Sequence, residues 1–204
     1  IVEGRDQISG WFFSLLKDGI IAMDGTAYRT VLMHGFMLDE QAREMHKSLG
    51  NFVEPDEAVA RHGRDPLRYY LLQNTTWEDV KFSWKGLQQV FNDLGTVWNV
   101  FVFASTYMNL DAFNPAKYPL EGMRAHMKPE DLWLMSRTNQ IVRDTTKLLD
   151  EYRIHDAARL LKLFFIEDLS HNYVRLVRRR TWMEKESPEK SAAYAALYYS
   201  LKTA

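Results

Sequence analysis

Lys47-Ser48-Leu49-Gly50-Asn51 sets a cation and a hydroxyl ahead of a turn-prone glycine and asparagine. Such a loop can close on phosphate, because lysine acts as a point charge and glycine lets the backbone come near. It is not the glycine-rich phosphate loop, since no glycine cage precedes the lysine. An ordinary exposed loop carrying a lysine fits these five residues as well. Glu3-Gly4-Arg5-Asp6-Gln7 places two carboxylates and an amide around a glycine, a set able to meet an ammonium, a ribose or an adenylate hydroxyl. The acids at a helix N-terminus make the same pattern. Arg175, Arg178, Arg179 and Trp182 follow at spacings of three, one and three, which on a helix makes one basic face ending in an aromatic. Guanidinium groups there suit phosphates, and the indole suits stacking on an unpaired base. A solvated face beside a core tryptophan accounts for the pattern equally. His34, His46, His62, His126, His155 and His171 show no paired ligand spacing, and no serine sits in a nucleophile elbow. A metal site and a hydrolase triad are both argued against.

The elements that must position these residues change character near residue 83. Before it, glycines, prolines and short apolar runs alternate as in the closing part of an α/β domain. Gly4 and Gly10 predict a turn feeding a buried helix at Trp11-Phe12-Phe13. Thr30-Val31-Leu32-Met33 reads as a strand, with Gly35 separating it from Phe36-Met37-Leu38 like a hairpin. Residues 39–51 are polar. Pro55-Asp56-Glu57 predicts a helix start and Gly63 its end. Asp65-Pro66 repeats the start signal as N-cap and first position, ahead of Leu67, Tyr70, Leu71 and Leu72.

After Ser83 the pattern is helical. Leu87, Val90, Phe91, Leu94, Val97, Trp98, Phe101 and Val102 form one broad stripe. Residues 111–129 hold three prolines and read as a connecting loop. Pro129-Glu130-Asp131 opens a helix with the stripe Leu134, Ile141, Leu148 and Leu149. His155-Asp156 opens another, with Leu161, Phe165, Leu169, Tyr173 and Leu176. Ser187-Pro188-Glu189 opens a last one, rich in alanine and tyrosine. Helices that each bury one stripe make a bundle.

The 204 residues are 46% hydrophobic and 13% aromatic, enough for a real core and against intrinsic disorder. The formal net charge of -1 leaves no global field to draw a polyanion, so any such contact needs a local basic patch. Without cysteine there are no disulfides, Cys-ligated zinc or thiol catalysis, which fits a reducing cytoplasm. No apolar run is long enough to span a bilayer, and Ile1-Val2-Glu3-Gly4-Arg5-Asp6 is not a signal peptide. The start without methionine, in mid-motif, reads as that of an excised fragment.

In order along the chain, EGRDQISGWFFSLL, HGFMLDEQAREMHKSLGN, GRDPLRYYLL and HNYVRLVRRRTW resemble the isoleucyl-tRNA synthetases, of class I. Valyl and leucyl synthetases share the loop and the fold, and a free-standing helical RNA-binding module remains a reading from another class. The resemblance covers nearly the whole chain. It implies a mainly α protein: a C-terminal remnant of a Rossmann-type α/β catalytic domain over residues 1–82, then an α-helical bundle anticodon-binding domain over 83–204. It implies that Glu3, Gly4, Asp6 and Gln7 contact the aminoacyl-adenylate, and that Lys47 and Ser48 serve catalysis. The family's KMSKS signature falls on Glu44-Met45-His46-Lys47-Ser48, with Glu44 for the first lysine and His46 for the first serine. Lys47 then reaches the ATP phosphates, stabilising the pentavalent α-phosphate electrostatically, and Glu44 takes no part. ATP with Mg2+ and isoleucine are expected as substrates of the parent, with no metal held by this fragment. Arg175, Arg178, Arg179 and Trp182 are expected to meet the anticodon stem-loop of isoleucine tRNA. The HxGH signature and the editing insert are not in the sequence, so the fragment alone is expected to be inactive without the N-terminal half of the catalytic domain. A cytoplasmic location and no membrane partner complete the expectation.

Overall fold

In the computed structural model, which describes residues 1–183 and 185–204, the chain divides into two units. One is Ile1–Val90 with Tyr152–Asp156, the other Phe91–Glu151 with Ala157–Ala204.

In the first unit, β1 (Val2–Gly4) lies parallel to β2 (Leu32–His34), with Val2 opposite Leu32 and Gly4 opposite His34. Parallel neighbours need a crossover. It is supplied by a 3-10 turn at Arg5–Gln7, a π-helical turn at Ile8–Phe12 and α1 (Phe13–Met23). A second parallel pair joins β3 (Met37–Leu38) to β4 (Val80–Lys81), with α2 (Pro55–His62) and α3 (Arg64–Leu72) in the crossover. The expected hairpin at Gly35 is therefore corrected, because β2 and β3 belong to different sheets. Gly35 N donates to the Thr76 carbonyl at 3.0 Å and Phe36 N to Asp79 Oδ1 at 2.8 Å, so residues 74–79 claim the backbone a hairpin would have used.

The buried helix expected after Trp11 is also corrected. Along α1 only Gly19 is buried, while Phe13, Ile20, Ile21 and Met23 are exposed. Pro55 sits in the first turn of α2 as the sequence predicts, but α3 starts at Arg64 with Gly63 as N-cap, one residue before Asp65. The unit's core is instead built around Tyr70, Phe82, Leu87 and Val90. Tyr70 packs edge-on to Phe82 and its hydroxyl bridges Lys81 and Ser83, donating to the Lys81 carbonyl at 2.9 Å. That contact fixes β4 beside α3.

α4 (Trp84–Leu110) begins in the first unit and continues into the second. Its buried positions are Leu87, Val90, Val100 and Ala104, a narrower stripe than expected; Phe91, Trp98, Phe101 and Val102 are exposed. The proline-rich connection contains α5 (Leu120–Met123) and a 3-10 turn at Arg124–His126. α6 (Pro129–Asp150) follows and buries Leu134, Thr138, Ile141 and Thr145, with Leu149 turned out. α7 (Ile154–Leu163), a π-helical stretch at Phe164–Val174 and α8 (Arg175–Thr181) run on without a break. The π stretch, with its i→i+5 bonding, moves the buried positions to Phe164, Leu169, Tyr173, Val174 and Val177. The even α-helical spacing had put Leu176 in the core; it is exposed.

α9 (Pro188–Thr203) starts where Ser187 accepts from Lys190 N at 3.1 Å, as its sequence signal predicts. Ala192, Ala193, Ala195 and Ala196 let it approach α6 closely, and Thr138 and Ser200 share a hydrogen bond of 2.8 Å between the two helices. A helix buried nearly all round needs such small residues.

Candidate functional site

Three groups of side chains carry the candidate chemistry, two in the first unit and one in the second.

Lys47 and Ser48 stand on a 3-10 turn, Lys47–Leu49, that closes at Gly50. Gly50 has φ +66° and open space around it, a left-handed conformation that glycine adopts without strain. Lys47 is exposed. Its ammonium lies 3.1 Å from Glu54 Oε1 and 5.2 Å from the centre of the Phe52 ring. Glu44 turns to His46, 3.4 Å away, and not to Lys47. Below this crest lies a residue that sequence reasoning passed over, Asp39, which is 6% exposed. Its Oδ1 accepts from the backbone of Gln41 at 3.0 Å and of Arg43 at 2.8 Å, and its Oδ2 from Arg43 Nε and Asn51 Nδ2, both at 2.9 Å. The Asn51 hydrogen bond, and then the Arg43 backbone, hold the Asp39 carboxyl down at about 2. An aspartate that accepts from the backbone two residues on forms an Asx-turn.

Glu3, Gly4, Asp6 and Gln7 lie on β1 and the turn that ends it. Gly4 is buried, and a Cβ there would collide with the Asp6 carboxylate, so glycine is what lets that carboxylate fold over the strand. Asp6 Oδ2 accepts from Gln7 Nε2 at 2.8 Å, and Gln7 Oε1 accepts from Trp11 N at 3.3 Å, capping the π-helical turn. Glu3 is exposed, with Oε2 3.3 Å from Gly4 N. Arg5 points elsewhere, to Asp79 at 3.0 Å and over the Phe36 ring. Asp79 is lowered first by the Phe36 backbone bond and then by Arg5. The Lys47 group and the Glu3 group each hold to their own neighbours.

In the second unit Arg175, Arg178 and Arg179 are exposed on the π stretch's continuation into α8. The Arg178 guanidinium lies 5.0 Å from the centre of the Trp182 ring, and that ring is 55% exposed. Trp182 is therefore not the core residue that the alternative reading required. Arg175 and Arg178 border a depression of about 420 Å³, with Val100, Phe103 and Val174 in its lining and Asn99, Ser170 and His171 at its polar edge. Arg179 is not part of that lining. Arg180, next in sequence, is buried. It donates to Asp131 at 2.7 and 2.8 Å and to Glu130 at 3.0 Å, while the Tyr173 hydroxyl donates to Asp131 at 2.6 Å. Burial and then the Asp131 charge push the Tyr173 hydroxyl well above its usual range. This knot ties α8 to the start of α6 and leaves the other arginines facing out.

A family model described as "tRNA synthetases class I (I, L, M and V)" matches residues 1–83, and one described as "Anticodon-binding domain of tRNA ligase" matches residues 131–204. The chain is 53% identical over 202 residues to the isoleucine–tRNA ligase of Saccharolobus solfataricus, covering 99% of the chain and 20% of that protein. It is 50% identical to that of Methanothermobacter marburgensis, covering 100% and 19%. The chain thus spans about a fifth of the length of these relatives. Among solved structures, Mycobacterium tuberculosis methionyl-tRNA synthetase in complex with methionyl-adenylate superposes with a TM-score of 0.70 at 19% identity, over 99% of this chain and 39% of that one. An Agrobacterium radiobacter leucyl-tRNA synthetase in a ternary complex gives 0.68 at 16%, over 99% and 25%. At those identities the likeness speaks for the fold, a mainly α arrangement that follows a small parallel-strand remnant. With a class I synthetase model on one end, an anticodon-binding model on the other and half its residues shared with isoleucine enzymes throughout, the chain is similar over its whole length to a stretch of the isoleucyl class I aminoacyl-tRNA synthetases.

Proposed function

We propose that the full-length protein containing this chain is an isoleucine–tRNA ligase, which activates isoleucine with ATP and transfers it to isoleucine tRNA in the cytoplasm. Residues 1–82 supply the end of its catalytic domain and residues 83–204 its anticodon-binding bundle. Lys47 is the ATP-binding residue and works with Ser48 at the reacting phosphate, where a fixed cation offsets charge that builds on the pentavalent α-phosphate and on pyrophosphate. Glu3, Gly4, Asp6 and Gln7 hold the amino-acid or adenosine part of the adenylate. Arg175, Arg178, Arg179 and Trp182 meet the anticodon stem-loop, the guanidinium groups on phosphate and the indole on an unpaired base. The magnesium ion that accompanies ATP is taken as part of the nucleotide substrate. Among the described residues no cluster of three or more histidine, cysteine, aspartate or glutamate side chains is placed to hold a metal.

The observation that carries this reading is the Lys47 turn: an exposed ammonium on a short crest, in a segment that matches the class I family. ATP–pyrophosphate exchange by the full-length protein, run separately with isoleucine, valine and leucine, tests it. Strong exchange with isoleucine is expected. Exchange driven by valine or leucine instead would move the protein to a sister specificity, and none with any of the three would end the proposal.

A further inference from the structure

We propose that Asp39 and Asn51 form a clamp at the neck of the Lys47 loop and are positioning residues for amino-acid activation. The proposal rests on the reading of Lys47 given above.

Both ends of the segment 39–51 meet at one carboxylate. On the entering side Asp39 takes the backbone donors of Gln41 and Arg43, and Asp39 N donates to the Arg43 carbonyl at 2.9 Å. On the leaving side it takes Asn51 Nδ2 at 2.9 Å. Both ends of the Asn51 amide are used: its second hydrogen goes to the Glu44 carbonyl at 2.9 Å, and its Oδ1 accepts from His46 N at 2.9 Å. The partners are two acceptors on one end and one donor on the other, so only one orientation of the amide satisfies them. Asn51 thereby ties the residue before Lys47 to the neck. The turn itself is closed by Leu49 N donating to the His46 carbonyl at 3.0 Å and Gly50 N to the Lys47 carbonyl at 3.2 Å.

The consequence is a division of labour along the thirteen residues from Asp39 to Asn51. Main-chain freedom is removed from the neck up to His46, while the Lys47 side chain at the crest stays exposed. The ammonium can then reach a phosphate from a fixed root, by side-chain torsions alone, and less ordering remains when substrate arrives. Lys47 rests on Glu54, an exposed partner that it can leave cheaply. Aspartate at position 51 would keep the size but lose both donors and set a second carboxylate against Asp39.

The test uses the full-length synthetase. Asn51→Asp, and Asn51→Ala as a variant without added charge, are assayed for ATP–pyrophosphate exchange, thermal unfolding and amide hydrogen exchange at Gln41, Arg43 and His46. The expected result is faster amide exchange at those positions and a kcat lower by about 10²-fold, with the KM for isoleucine and the unfolding midpoint unchanged. The swap of Asp39→Asn with Asn51→Asp restores one donor–acceptor pair across the neck and should recover part of kcat. Full kcat in both Asn51 variants, or a swap worse than either single change, overturns the clamp's role. A kcat loss without faster exchange overturns it too. Lys47→Ala run in parallel separates the two claims. If that variant loses activity and the Asn51 variants do not, only the positioning role fails; if it stays fully active, the reading of the loop fails and the positioning role with it.

Discussion

The two units present their cations by opposite means. In the first, Lys47 rides a loop with no regular hydrogen-bond ladder, and its base is set by one buried carboxylate taking donors from both ends of the segment. In the second, Arg175, Arg178 and Arg179 ride a continuous helix whose rotation is set by packing of Phe164, Leu169, Tyr173 and Val177 and by the buried Arg180. A polar clamp can fix a neck and leave a crest movable. A packed helix fixes every side chain's direction at once. A group that has to move during a reaction is served by the first arrangement, and a surface that meets a partner without rearranging is served by the second.

The comparison breaks most visibly at Arg180. Arg180→Ala leaves Asp131, which is fully buried, without its charged partner, and should cost about 3–5 kcal/mol. Chemical denaturation followed by a bundle tryptophan would measure it, and a loss much smaller than this would mean that α8 is held by apolar packing alone. Converting Arg180→Met together with Asp131→Leu should cost less than the single change, since no charge is then stranded. In the first unit, Lys47→Ala should lower adenylate formation by roughly 10²–10³-fold, the loss seen for one transition-state donor. Isoleucine affinity and bundle stability should be untouched. Arg178→Ala with Arg179→Ala should weaken tRNA binding and reduce its salt slope by about one per arginine. Binding that is unaltered across salt concentrations would return both side chains to a merely solvated face. The smallest effect concerns pH. Because the Asp39 carboxyl is held at about 2, below the ordinary 3.8, the clamp's contribution is complete above the ordinary value and drains away as pH falls through the held one. Protection of the Gln41 and Arg43 amides, each referred to the intrinsic exchange rate at the same pH, should be smaller within that window than above it. Arg43 is the charge facing Asp39.

Regular helices were the legible part of the sequence. Leu87, Val90, Leu134 and Ile141 lie on the sequence's apolar stripes and are buried, and Pro55, Pro129 and Ser187 all mark real helix starts. Apolar residues at helical spacing do not say how wide the covering neighbour is, so Trp98, Phe101 and Leu149 share the apolar stripes and yet lie outward. The α-helical period failed along Phe164–Val174, where the turns widen. Strand partners were not legible either: Leu32 and Met37 lie on adjacent runs yet pair with Val2 and Val80, a choice made by tertiary contacts far along the chain. Of the candidate site residues, Lys47 is marked by its string and Trp182 by its spacing. Asp39 and Asn51 are hidden because they meet across twelve positions of polar sequence and otherwise bond mostly to backbone groups, and neither leaves a mark on residue type.

The widened turns at Phe164–Val174 carry a consequence for the arginines downstream. Each residue of α-helix advances the phase by about 100°, so the number of residues spent in the π stretch acts as a dial that selects which members of the run Arg178-Arg179-Arg180 look outward. Deleting one residue there would leave the composition of the basic run intact while turning it on its axis. Arg180 would leave its acidic socket and a neighbour would be driven toward it. Insertions and deletions in this stretch are therefore rotations of the arginine-bearing surface, and an alignment that treats them as changes of length alone would miss their effect.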